Sequence, residues 1–189
     1  MSDLSRAAQA THSLTFPREG VTAVCAFRGR TLSAFTSGAL RLHAAHSGAQ
    51  LLSLRLPRAA PAASAALVPT ADAGGAGDAV VLGAAYNTIH GFSMRYGNAL
   101  GSFEAHADTV VAMAWAGLSA AERVLYTASN DTTVKAWPMA PHRLPWRAGG
   151  PPLFELSMPD ASVPLCVQVW LLRLLELPSR APLMFGEHS

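Results

Sequence analysis

Charge is scarce in this sequence. Only 14% of its residues are Asp, Glu, Lys or Arg, where soluble domains carry about 25%, so little electrostatic repulsion protects it from association. Lysine is nearly absent: Lys135 stands alone against 13 arginines, and the arginines are scattered rather than gathered into a stripe. That distribution gives no footprint for nucleic acid. Arg28 and Arg30 flank one turn and read as solvated loop residues, because electrostatic recognition needs clustering. The 12 acidic residues are spread along the chain, so no pair of carboxylates marks a hydrolytic site. Cysteine is limited to Cys25 and Cys166, both on apolar segments. Reduced, buried thiols are the reading for these two, since nothing marks a secreted chain.

Targeting and membrane signals are also missing. Residues 1–18 lack the charged start, apolar core and cleavage site of a signal peptide, and the cytoplasm is the expected compartment. The longest apolar run, 164–178, is bounded by prolines and has too short a core for the ~20 residues that a spanning helix needs. No direct membrane span is expected. The run reads equally as a short helix packed on strands, a failed strand, or translated sequence foreign to the original domain. The glycine-rich stretch 71–78 has no Lys-Ser/Thr ending and opens no helix, so it is a connection and not a phosphate loop. The Ala- and Pro-rich stretch 57–66 has the same loop character. His43 and His46, three residues apart, would not point two rings at one place from a strand and its following turn, and no third ligand stands near. Neither a metal nor a cofactor is expected.

What the sequence does contain is concentrated between residues 100 and 137. Three apolar runs with β-type composition follow in order, at 109–115, 124–129 and 133–137. His106 stands at the entry, Asp131 in a tight turn, and Trp137 closes the last run. If the second and third runs pair as a hairpin, Asn130-Asp131-Thr132 is the connection, where Asn and Asp bond local backbone and tolerate left-handed geometry. From the entry loop His106 is within reach of Asp131 and Thr127, and Trp137 is placed to offer its indole N–H to Thr127. Such a chain satisfies several buried polar groups at once.

These residues resemble a WD repeat, the blade of a four-stranded β-propeller. Ala105-His106 stands where the family has Gly-His, residues 127–131 match the strand and turn, and Trp137-Pro138 replaces Trp-Asp. The resemblance implies that His106, Thr127, Asp131 and Trp137 form the family's structural hydrogen-bonding tetrad. The order of 87–97, 103–110 and 125–129 is further similar to the C-terminal propellers of BEACH-domain proteins, although no BEACH signature stands among the residues before the blades.

Two earlier units fit the same template by alternation and turn signals alone. Leu40 to His43, Ile89 to Phe92 and Val134 to Trp137 align at steps of 49 and 45 residues, a spacing suited to blades. The strands expected are 21–27, 31–36, 39–44 and 51–56 in the first unit and 65–68, 80–85, 88–93 and 99–103 in the second. An outer strand for the third unit is expected at 151–157. The organisation is therefore an N-terminal extension over 1–18, degenerate blades over 19–57 and 58–106, a WD-repeat blade over 107–159, and a divergent tail over 160–189. The fold class is all-β, a partial propeller of about three four-stranded blades.

The resemblance implies a non-catalytic scaffold, an adaptor that docks protein partners through propeller loops while its open strand edges favour association. A propeller-type hydrolase and an incomplete product without independent function are the alternatives. His106, Asp131 and a hydroxyl at Thr127 or Ser129 have the composition of a catalytic triad. An active nucleophile would also need exposure and an oxyanion hole, and the tetrad uses the same residues structurally.

Overall fold

The computed structural model describes residues 18–69, 79–117, 122–139, 145 and 150–158. The expectations placed on 1–17, on the glycine-rich stretch 71–78, on Cys166, on the apolar run 164–178 and on the tail 160–189 lie outside the described residues.

Strand follows strand through short turns: β1 Val21–Phe27, β2 Arg30–Phe35, β3 Ala39–Ala44, β4 Gln50–Arg55, β5 Ala62–Pro69, β6 Ala79–Ala85, β7 Thr88–Ser93, β8 Ala99–Glu104, β9 Val110–Ala116, β10 Val124–Ser129, β11 Thr133–Pro138 and β12 Phe154–Ser157. A 3₁₀ turn lies at Pro57–Ala59. The strands form three antiparallel four-stranded sheets, β1 to β4, β5 to β8 and β9 to β12, each paired in sequence order. Consecutive pairing follows from the turn chemistry. Between β1 and β2, for instance, Phe27 pairs with Arg30, leaving Arg28-Gly29 as a two-residue turn with φ of 46° and 72°. Positive φ at both central residues is what a hairpin turn matched to strand twist requires.

The second sheet is covered on both faces, and its sequence shows how. In β5 and β6 successive side chains point to opposite faces. Ala65, Leu67 and Val81 pack with Leu32, Leu40, Leu42 and Leu56 of the first sheet and the linker after it. Ala66, Val68, Val80 and Leu82 pack with Val110, Leu125 and Trp137 on the side of the third sheet. All seven residues of β6 are buried, the near-continuous apolar run expected of a strand enclosed on both faces. Gly83 allows the close approach: a Cβ there would lie 2.7 Å from Leu40 Cδ1 and 3.1 Å from Leu56 Cδ2.

The three first strands run the same way and lie together. Thr22 Oγ1 at the start of β1 donates to the carbonyl of Ala62 at the start of β5, 2.5 Å. At the far ends of β1 and β9, Phe27 and Trp115 meet edge to face at 5.9 Å.

Strand boundaries depart from the sequence reading in one informative place. The Ala- and Pro-rich stretch 57–66 is not all loop: β5 begins at Ala62 and pairs with β6 along its length. Alanine is a poor strand former, but here small side chains suit a strand enclosed by a sheet on either side. The outer strand expected over 151–157 is shorter, β12 beginning only at Phe154; elsewhere the differences are single residues, as where β2 and β4 begin at Arg30 and Gln50, and β9 at Val110.

Candidate functional site

His106 lies in the loop between β8 and β9, and Asp131 in the turn between β10 and β11. Thr127 and Trp137 lie on β10 and β11 themselves. Leu125 pairs with Trp137, and Thr127 with Lys135, so Thr127 and Trp137 project from the same face, the one turned to the second sheet. There the Trp137 ring packs edge to face on Phe103 at 4.9 Å.

The structure brings all four residues into one hydrogen-bonded chain. Trp137 Nε1–H donates to Thr127 Oγ1 at 3.0 Å. Thr127 Oγ1 is 2.7 Å from His106 Nε2, and His106 Nδ1 is 3.0 Å from Asp131 Oδ2. Charge fixes the proton positions. Burial works against the Asp131 carboxylate, yet bonds from Thr133 and Ala107 and the neighbouring His106 outweigh it and hold its pKa down to about 2. An ionised carboxylate only accepts, so Nδ1 carries the imidazole proton. Burial pushes the His106 pKa below its ordinary value even though Asp131 pulls the other way. At neutral pH the ring is therefore neutral, and the contact with Asp131 is a hydrogen bond to a carboxylate and not an ion pair. Nε2 is then left as an acceptor and takes the Thr127 hydroxyl proton. The chain of donation runs Trp137 to Thr127 to His106 to Asp131.

Asp131 is the sink of the network. Besides the ring of His106 it accepts the Ala107 backbone N–H at 2.9 Å, the Thr133 backbone N–H at 3.0 Å and the Thr133 hydroxyl at 2.6 Å. Thr133 was missed in the sequence, although a hydroxyl two residues after a turn aspartate is a recurrent local pattern. Ser129 was weighed only as a nucleophile. Its hydroxyl donates to the Asp108 carbonyl at 3.0 Å and accepts the Asp131 N–H at 3.1 Å, fastening the turn to the loop that carries His106.

One detail of the turn corrects the sequence reading. The left-handed residue is Thr132, with φ of 66°, and neither Asn130 nor Asp131. A β-branched side chain disfavours that region. The bonds from Asp131 to both sides of it, and the pairing of Thr132 carbonyl with Met158 N–H at 2.9 Å, hold it there.

Other candidates lie apart from this network. His43 is buried on β3 and His46 exposed on the following turn, and no group of three metal-ligating residues occurs among the described residues. Cys25 is a free, half-buried thiol on β1; burial pushes its pKa up to about 11 against a backbone bond from Leu67, which leaves it protonated and a poor nucleophile. No helix among the described residues is long and apolar enough to cross a membrane.

No family model and no curated protein sequence matches the chain. Solved structures do. The computationally designed Ika8 protein aligns with a TM-score of 0.57 at 16% identity, over 79% of this chain and 40% of its own. The computationally designed Ika4 protein aligns with a TM-score of 0.54 at 17% identity, over 71% of this chain and 75% of its own. At such identities the likeness concerns the fold alone. The chain spans well under half the length of the first of these proteins.

Proposed function

We propose that the chain is part of a WD-repeat β-propeller and serves as a non-catalytic protein-interaction scaffold, an adaptor region of the BEACH-domain type. The observation that carries this reading is the use to which the polar cluster is put. Thr127 and Ser129 are fully buried, His106 nearly so, and every one of their hydrogen bonds described above ends on another part of the same sheet or its entry loop. A network spent in this way fastens a turn and leaves no exposed nucleophile.

The arrangement of sheets supports the propeller part of the proposal. Three like sheets stack face to face with their first strands together, as blades do around an axis. The face of the third sheet turned away from the second carries Ala114, Tyr126, Ala128, Ala136 and Phe154, with the Tyr126 and Phe154 rings 6.0 Å apart. That is the apolar face on which a further blade packs. Propellers close with about four to eight blades, so the ring takes further sheets, from the same polypeptide or another. Turns at the two ends of the blades are then the surface offered to partners.

The test places a photoreactive phenylalanine analogue at Tyr86 or Tyr96, which are 59% and 73% exposed on turns at opposite ends of the second sheet, and at Ser53 on β4 as a strand control. After irradiation in extract of the source cells, discrete protein adducts from a turn position that are absent from the strand position are expected. Turn positions that capture nothing beyond the control, or a fluorophosphonate label on Thr127 or Ser129, would contradict the scaffold reading.

A further inference from the structure

Sequence alone leaves Arg28 and Arg30 as two isolated cations, and the fold changes that. Three turns from two different sheets meet at one end of the described body: Arg28-Gly29 between β1 and β2, Ala45 to Gly48 between β3 and β4, and Met94 to Gly97 between β7 and β8. Ala45 N–H donates to the Gly29 carbonyl at 2.8 Å, joining the first two. Arg30 Nη1 lies 3.8 Å from Met94 Sδ, joining the first to the third. Met94 itself is buried in the core between the two sheets, which pins the third turn, and the Cα of Gly97 sits so close to β4 that a Cβ there would lie 3.0 Å from Leu52 Cδ1.

This convergence places Arg28, Arg30, His46 and Arg95 at one end of the sheets; no Asp or Glu occurs in residues 27–30, 44–50 or 93–98, and Glu122 lies at the same end, before β10 of the third sheet. Arg28 and Arg95 are exposed, and each lies over an aromatic ring of its own turn: the Arg28 guanidinium 5.2 Å from the Phe27 centroid, and Arg95 5.2 Å from that of Tyr96. Stacking on a ring holds a guanidinium in place while its N–H edge stays directed outward. Tyr96 is 73% exposed, the highest among the large apolar side chains of the described residues. The opposite end of the sheets is mixed in sign: Arg55 and Arg58 as well as Glu104, Asp108 and Asp131 lie in or beside its turns.

From this juxtaposition we infer that the end formed by Arg28, Arg30, Arg95 and Tyr96 is a docking surface for an acidic peptide segment, one that presents clustered carboxylates beside an aromatic or aliphatic side chain. The inference rests on the scaffold reading and narrows it to one surface and one partner chemistry. Guanidinium groups bind carboxylates in bidentate pairs, arginine and tyrosine are the residues over-represented at the centre of protein interfaces, and clusters of arginine are a recurrent solution for acidic motifs. A protein segment fits better than nucleic acid because the patch is compact, confined to three turns, and does not extend into a stripe able to follow a phosphate backbone.

Fluorescence anisotropy tests this with the full chain and a fluorescein-labelled peptide of Asp and Glu residues around a single Phe. Binding is expected to weaken at least about tenfold in the Arg28→Glu/Arg95→Glu variant, to weaken as salt is raised through the range where the Debye length falls below about 10 Å, and to be unchanged in Arg58→Glu on the opposite end. Because the altered side chains are exposed, the urea midpoint of the variant is expected to match the parent. Arg95→Gln, which adds no charge of opposite sign, is expected to weaken binding by a smaller factor. Equal binding by parent and double variant overturns the inference, as does the absence of binding by the parent. Tighter binding of single-stranded DNA, or of phosphatidylserine vesicles, than of the peptide overturns it as well. Photo-cross-linked partners captured through Tyr86 alone, with no peptide binding, remove this surface and leave the scaffold reading standing.

Discussion

Asp131→Ala removes the acceptor on which the whole polar network ends. Four donors lose their partner: the Ala107 and Thr133 backbone N–H groups, the Thr133 hydroxyl and His106 Nδ1–H. Ala107 is exposed, so water replaces its bond. His106 and Thr133 are 3% and 9% exposed; His106 Nδ1–H still has Thr133 Oγ1 at 3.0 Å, while the Thr133 backbone N–H and hydroxyl lose their acceptor with no water at hand. A buried donor deprived of its partner costs about 1 to 3 kcal/mol, and since the two groups share one acceptor the losses are not fully additive, giving about 2 to 4 kcal/mol in all. The pH dependence offers a separate reading of the same contact. The carboxyl falls from 3.8 to about 2 on folding, which at ~1.4 kcal/mol per unit corresponds to about 2 kcal/mol. This is smaller than the cost of deletion, as it should be, because a protonated carboxyl still accepts. A folded pKa below the unfolded one means stabilisation that is complete above the ordinary aspartate range and is lost as pH falls through it toward about 2. Urea unfolding followed by tryptophan fluorescence and circular dichroism is therefore expected to show a gap of about 2 to 4 kcal/mol between the parent and Asp131→Ala at pH 7. The gap is expected to narrow between pH 5 and pH 2 by about 2 kcal/mol. A difference within about 0.5 kcal/mol at pH 7, the level of ordinary surface substitutions, refutes the reasoning.

Three further substitutions probe other parts of the account by the same unfolding measurement. Trp137→Ala, followed by circular dichroism, is expected to cost about 3 to 5 kcal/mol because it opens a cavity beside Phe103 as well as removing a bond; combined with Asp131→Ala the loss is expected to fall short of the sum, and strict additivity would show that the two residues are not coupled. Gly83→Ala drives a methyl into Leu40 and Leu56 at the junction of two sheets and is expected to cost about 1 to 3 kcal/mol, whereas a neutral result would mean that the sheets part more readily than their packing implies. Thr132→Gly relieves a left-handed threonine and is expected to be neutral or to stabilise by up to about 1 kcal/mol, with a large loss showing that the turn needs the threonine side chain.

Much of the strand pattern was legible because turn chemistry and alternation are local signals. β3, β7 and β11 begin at Ala39, Thr88 and Thr133, in the register expected from aligning Leu40, Ile89 and Val134. The meeting of His106, Thr127, Asp131 and Trp137 was legible for a similar reason: three of the four lie within one hairpin, and the fourth enters the strand beside it. What escaped the sequence depends on contacts between sheets. Ala62 to Ser64 reads as loop until a sheet on each side favours small side chains, and Gly83 reads as a weak point in a strand until Leu40 is seen against it. Thr133 was overlooked because Asp131 offered the histidine contact first. Arg28 and Arg95 are 67 residues apart in the chain, and only the packing of Met94 brings their turns to one surface.

The proton positions in the network give the most direct test of the claim that these residues serve structure. Two-bond proton–nitrogen correlation spectra of the ¹⁵N-labelled chain report which ring nitrogen of His106 carries the proton. The structure predicts a neutral imidazole at pH 7 with the proton on Nδ1 and Nε2 accepting, titrating only below the ordinary histidine range as the fold is lost. A proton on Nε2, or a ring that titrates near pH 6.5 while the chain stays folded, as an ordinary exposed histidine does, would contradict it.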